Sequence, residues 1–172
     1  MSSADTEKYA PQVATHRRTT SAILTTTKEL IARSGVSKIS MIEISDESEV
    51  SRATLYNHYR DKESVLRALA ESEFARLITV AKKGNSPQEI LQLLSQEIST
   101  DTALATMRTT DPALLTQILT HQSDPLWASF LNSFSQLIPN QVLAATSLRW
   151  LIGQVFAPLT SEQSKIQSEA LS

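Results

Sequence analysis

Three times in its second half the chain sets Ser or Asp directly before Pro: Ser86-Pro87, Asp111-Pro112 and Asp124-Pro125. A side-chain oxygen at the N-cap satisfies a backbone N–H that no helical carbonyl reaches. Pro at the first helical position lacks the N–H that would go unpaired, and its φ is already helical. These starts predict helices over about 87–99, 112–121 and 125–138. A short helix is expected over 102–109, and Pro139 and Asn140 break the chain before a last helix over 141–157, which Pro158 ends. No segment alternates as a half-buried strand does.

The first half is helical by periodicity. Ile23, Leu24, Thr27, Leu30 and Ile31 form one stripe, predicting a helix from Thr19 to Arg33 with Gly35 as its left-handed C-cap. Ser40 and Glu43 have capping-box spacing before a short helix, Met41 to Ser48. Ser51 caps a third helix, Arg52 to Tyr59, and Asp61 caps a fourth, Lys62 to Lys82, before Gly84 and Asn85. At 1.5 Å per residue the fourth helix reaches ~30 Å. The expected fold class is all-α, a three-helix head on a long fourth helix followed by a helical second domain. Residues 1–16 read as a disordered polar tail, 17–65 as the head, 66–160 as the second domain and 161–172 as a polar C-terminal tail.

Several function classes drop out on composition. There is no Cys, which excludes disulfides and Cys-based metal sites. No metal-ligand cluster, paired carboxylates or Gly-rich phosphate loop is readable, and His16, His58 and His121 fall in different expected elements. The expectation is a non-enzyme with no cofactor and no metal. The N-terminus has no apolar signal core, and no apolar run approaches the ~20 residues a membrane span needs. No membrane association is expected, and the expected location is the cytoplasm. Net charge is −2, but residues 1–84 hold 13 of the 16 bases and 11 of the 18 acids. A mildly basic front and an acidic back suggest two jobs.

The third helix suggests the first job. In "SEVSRATLYNHYRDKES" most side chains are polar, aromatic or basic. Two short helices joined by a tight turn, "MIEISDES" and "RATLYNHY", form a helix-turn-helix pattern. Met41, Ile44, Val50, Leu55 and Tyr59 supply the inner faces, leaving a broad polar side on the third helix. The major groove of DNA admits one such helix, whose N-terminal residues reach base edges. Arg52 suits a guanine, and Thr54 suits a base edge or a thymine methyl. Small Ala53 allows close approach, with Asn57 on the same side. Tyr56, His58 and Lys62 suit phosphates, as do Arg17, Arg18 and the N-terminus of the fourth helix.

"GVSKISMIEISDESEVSRATLYNHYRDKESVLRAL" resembles the N-terminal DNA-binding domain of the TetR family of transcriptional regulators. Val50, Ser51, Thr54, Leu55, Tyr56, His58, Lys62 and Leu66 fit the family pattern, with Tyr59 in the usual Phe place. The resemblance covers about residues 17–70. It implies DNA contacts from Thr54, Tyr56, His58 and Lys62 and sequence preference from Arg52, Ala53 and Asn57. Ser40, at the start of helix two, joins the expected DNA-binding set. Two departures stand out. Glu49 occupies the turn position where the family usually has Gly, and holding a positive φ there costs ~1 kcal/mol unless the turn differs. Glu43, Asp46, Glu47 and Glu49 put four acids near the DNA side.

For the second domain the resemblance implies a homodimer on a palindromic double-stranded DNA operator and an unknown small-molecule effector that releases it. Such a protein is a repressor. The alternative is a DNA-binding regulator without a small-molecule ligand, controlled by abundance or by a protein partner. Met107, Arg108, Gln117, His121, Trp127, Phe130 and Trp150 are pocket candidates. The last helix is apolar nearly all round, so Phe134, Leu143, Leu148, Leu151 and Val155 are expected at a four-helix dimer interface.

Overall fold

The structure is a computed structural model that describes residues 3–121 and 123–171. Among them it contains ten helices and no strand. These are α1 (Ser3–Ser34), α2 (Met41–Glu47), α3 (Arg52–His58), α4 (Lys62–Ala81), α5 (Pro87–Thr100), α6 (Thr102–Thr110), α7 (Pro112–Thr120), α8 (Pro125–Ser135), α9 (Gln141–Phe156) and α10 (Ser161–Leu171). The all-α expectation holds, and no helix of the described residues is long and apolar enough to cross a membrane.

Local chemistry sets most boundaries. Ser40, Ser51, Asp61, Ser86 and Asp124 each accept a backbone N–H at a helix start. Gly35 closes α1 with φ 84°, and a Cβ there would lie 2.3 Å from Thr110 Oγ1. This glycine therefore serves both the left-handed turn and the close approach of α6. At Ser40 the expected reciprocal box is only half formed. Its Oγ accepts from Glu43 N, while the Glu43 carboxylate takes the Ser40 hydroxyl rather than the backbone N–H. A complete box forms instead between Asp61 and Ser64.

Within the described residues both expected tails are helical. α1 begins at Ser3, not Thr19. Ala, Glu, Lys and Gln upstream are good helix formers. The C-terminal segment forms α10 and packs on α5 and α9. Its inner face is Ser164 and Ser168, one turn apart and both buried, with Gln92 Nε2 donating to Ser168 Oγ at 3.1 Å. Small serines let the helices approach closely without an apolar stripe, so hydropathy did not mark this helix.

One core runs through the molecule. Ile23, Ile44, Leu55 and Val65 are fully buried in the head, and Leu91, Leu94 and Phe134 in the second half. Phe74 of α4 meets Trp127 and Phe130 of α8 at ring-centroid distances of 4.9 and 4.8 Å. α4 thus joins the head to the aromatic core.

Candidate nucleic-acid interface

Leu55 anchors α3, fully buried, with Tyr59 half-buried behind it. Arg52, Ala53, Tyr56 and Asn57 are exposed. Ser51 Oγ accepts from Thr54 N at 3.1 Å and lies 2.8 Å from Thr54 Oγ1, so Thr54 is half-buried at the cap. Arg52 faces Asp46 at 3.8 Å, with both side chains more than half exposed. Such a pair contributes little stability and leaves the guanidinium free to exchange partners.

The turn before α3 has the geometry expected from the sequence. Glu49 takes φ 57°, the sole positive φ at a non-glycine among the described residues. Buried Ser45 spans the turn, its Oγ donating to the Val50 carbonyl at 2.8 Å. The hydroxyl braces the two helices where they touch.

Two expected phosphate contacts are engaged within the protein. Lys62 Nζ donates to the carbonyls of Val36 at 3.2 Å and Ile39 at 3.1 Å, bracing the α1–α2 connection against α4. An ammonium has three N–H groups, so one remains for a phosphate. His58 stacks on His16 of α1, with centroids 4.3 Å apart and planes 14° apart, and its Nδ1 lies 3.3 Å from Thr20 Oγ1. Burial, then the neighbouring His16, push the His58 imidazole below its usual pKa. At the phosphate site expected at the start of α4, one N–H is already taken. Asp61 Oδ1 accepts from Ser64 N at 2.8 Å, placing a carboxylate where a phosphate would bind. Arg17 and Arg18 are exposed on α1, and Ser40 is half-buried at the start of α2.

A set of polar ties with no local sequence signal fixes the head to the second half. Asp111, expected to cap α7, makes no side-chain cap bond there. It reaches across to accept from Val36 N at 2.9 Å and Ser37 N at 3.1 Å. Thr106 Oγ1 donates to the Ala32 carbonyl at 2.6 Å. Lys28 of α1 lies 2.7 Å from both Glu73 of α4 and Asp101, the N-cap of α6. Arg76 extends this network to Glu97. Asp111 does stand at the start of α7, but its carboxylate binds the α1–α2 connection instead of capping that helix.

The seven pocket candidates are not gathered around one cavity. Trp127 and Phe130 are buried in the aromatic core, and Trp127 Nε1 donates to the Ile118 carbonyl. Met107 is buried, and Arg108 donates to the Val155 carbonyl at 2.9 Å. Gln117 and His121 are exposed on α7 and its cap, while Trp150 donates to Gln167 of α10. An open groove of about 640 Å³ lies elsewhere, between α1 and α4, with Leu24 and Leu69 among its lining and Thr102 at one edge.

The expected dimer residues also need correction. Phe134, Leu148, Leu151 and Val155 are buried within the single chain, and Leu143 is half-buried. The four buried residues pack the core of the chain rather than an outward face. Because α9 is apolar nearly all round, periodicity alone did not show which side turns inward.

Part of the sequence matches a family model, and the fold resembles solved structures. Residues 23–69 match the model of bacterial regulatory proteins of the tetR family. No curated protein sequence matches the chain. The fold resembles that of AlkX, a TetR family repressor from Dietzia sp. strain DQ12-45-1b implicated in biodegradation of n-alkanes. The TM-score is 0.62 at 18% identity, over 87% of this chain and 93% of that one. It also resembles the dihydroxyacetone kinase operon activator DhaS, with a TM-score of 0.59 at 19% identity over 89% and 93% of the two chains.

Proposed function

Since the chain carries the N-terminal DNA-binding domain of the tetR family of bacterial regulatory proteins, we propose that it is a cytoplasmic repressor that binds a palindromic operator as a homodimer and leaves it when a small molecule binds. The observation that carries this reading is α3, which buries Leu55 and presents Arg52, Ala53, Tyr56 and Asn57 outward. Arg52 reads a base, Ala53 permits close approach, and Asn57 and Thr54 complete the base-facing set. Tyr56, Arg17, Arg18, Ser40 and the remaining N–H of Lys62 hold phosphates, with His58 at the margin. Residues 17–65 form the reading head, and 66–160 serve dimerisation and ligand response.

The dimer face in this proposal is the outward side of α9. Val142, Ala145, Thr146, Arg149, Gly153 and Phe156 are exposed and recur at helical spacing. Val142 is 78% exposed and Phe156 44%. A Cβ at Gly153 would meet nothing within 4 Å. Glycine inside a helix costs about 1 kcal/mol relative to Ala, and no internal contact here requires it. Close approach of a partner helix would. A twofold axis along this face would present two heads to half-sites at least about one DNA turn, ~34 Å, apart.

Trp127 and Phe130 are buried and packed on Phe74, which favours a second reading, a DNA-binding regulator with no small-molecule ligand, set by abundance or a protein partner. The structural relatives include one named as a repressor and one as an activator, so the sign of regulation is itself part of the proposal. Sequence-selective binding of duplex DNA at near-physiological salt tests the reading. Equal binding to all sequences contradicts it.

A further inference from the structure

The groove between α1 and α4 offers polar groups that the fold leaves unused. The hydroxyls of Ser21, Thr25, Ser72 and Thr102 line it, and none has a hydrogen-bond partner among the described residues. Thr20 is already engaged, its Oγ1 lying 3.3 Å from His58 Nδ1 and its side chain also hydrogen-bonded to Tyr59. Leu24 and Leu69 give the groove apolar surface beside these hydroxyls.

Its charges are arranged unequally. At one end Arg17 is exposed and has no ion pair among the described residues. At the other, Lys28 is held between Glu73 and Asp101, and Glu29 adds an exposed carboxylate. Arg17 and Glu29 lie twelve residues apart on α1, roughly 18 Å along a helix rising 1.5 Å per residue. An anionic group therefore belongs at the Arg17 end, and an uncharged, hydrogen-bonding portion along the hydroxyls. A groove of about 640 Å³ falls within the range of small-molecule sites.

We propose that this groove binds a small polyhydroxylated anion, its phosphate or carboxylate on Arg17 and its hydroxyls on Ser21, Thr25, Ser72 and Thr102. This names the effector class and site of the regulator proposed above, and its regulatory consequence rests on that reading. Arg17 is also a proposed contact to the DNA backbone. Ligand and DNA phosphate then compete for one guanidinium, and by linkage each weakens the other's binding. The ligand also sits beside His16, which stacks on the reading helix through His58.

Calorimetric titration of the full chain without DNA tests the site, using glucose 6-phosphate, glycerol 3-phosphate and gluconate as probes, with glucose and inorganic phosphate as controls. At least one probe is expected to saturate, binding at least about tenfold tighter than either control. Arg17→Ala and Ser72→Leu are each expected to weaken it at least about tenfold. Ser72 is exposed on α4, so Ser72→Leu fills the groove while leaving the core and DNA binding intact. No saturation by any probe up to about 10 mM, binding no tighter than inorganic phosphate, or indifference to Ser72→Leu overturns the proposal. The same preparation is assayed for DNA binding without probe. DNA binding with no probe binding removes the groove proposal alone, whereas probe binding with no DNA binding removes the regulator reading.

Discussion

Asp111 holds Val36 across 75 positions of sequence, its Oδ2 accepting the Val36 backbone N–H at 2.9 Å. Oδ1 takes the neighbouring Ser37 N–H at 3.1 Å. The residue at the α6–α7 junction thereby fixes the segment that leads into α2. Replacing it by Ala strands the buried Val36 N–H. Asp111→Ala is expected to cost about 1–3 kcal/mol, measured by urea unfolding, with Asp111→Asn keeping part of the loss because one acceptor remains. Burial alone would raise the Asp111 pKa, but hydrogen bonds from Thr110, Ser37 and Val36 outweigh it and hold the carboxyl below its usual range. Its contribution is therefore full above the unfolded carboxyl pKa, about 3.9, and is lost as pH falls through the lower folded value. Asp111→Ala should be less sensitive to acid across that window. An unchanged acid transition would contradict the clamp.

Glu49 carries a positive φ that only glycine adopts without strain. Glu49→Gly is expected to stabilise the protein by about 0.5–1 kcal/mol, and Glu49→Ala, which keeps the strain, to bring no such gain. Equal gains from both variants would assign the effect to the lost charge instead. The comparison is read from urea midpoints at constant m-value.

The His16–His58 stack gives a titration with a defined direction. With its folded pKa depressed, His58 favours folding most when neutral, so this contribution falls as pH drops below the ordinary value of 6.5 and levels off once the folded ring is protonated. In His16→Ala the His58 ring resonances are expected to titrate at higher pH than in the parent, yet still below 6.5, because burial remains. No upward movement would show that the two rings are uncoupled.

The outward face of α9 is separable from its core face. Ala145→Arg lies on the exposed side and, if the proposed homodimer forms through this face, is expected to convert it to a folded monomer in sedimentation. Leu151→Ala, inside the core, is expected instead to lose about 2–5 kcal/mol of stability. A folded Ala145→Arg variant that remains a dimer would move the interface elsewhere.

The sequence was most legible where function depends on local chemistry. Ser51, Asp61 and the Ser-Pro and Asp-Pro steps marked helix starts because caps act over three or four residues. The strained turn at Glu49 was readable from one missing glycine. Long-range pairings were not readable: Asp111 looks like any N-cap until α1 is packed beside it, and Lys28 gives no hint of Glu73 or Asp101. Helix α10 escaped notice because serines form its buried face. Leu151, expected at the dimer interface, lies in the core, because nearly every side of α9 is apolar and periodicity does not show which side turns inward.

The most direct measurement is selection of random duplex DNA by the purified protein and by Arg52→Ala, at one near-physiological salt concentration. The expected result is an enriched palindrome whose half-sites lie at least about one DNA turn apart. With Arg52→Ala, preference should relax at one position per half-site, at a cost of about 1–3 kcal/mol. No enrichment by the folded parent protein, or equal loss on every sequence from Arg52→Ala, would contradict base reading by α3.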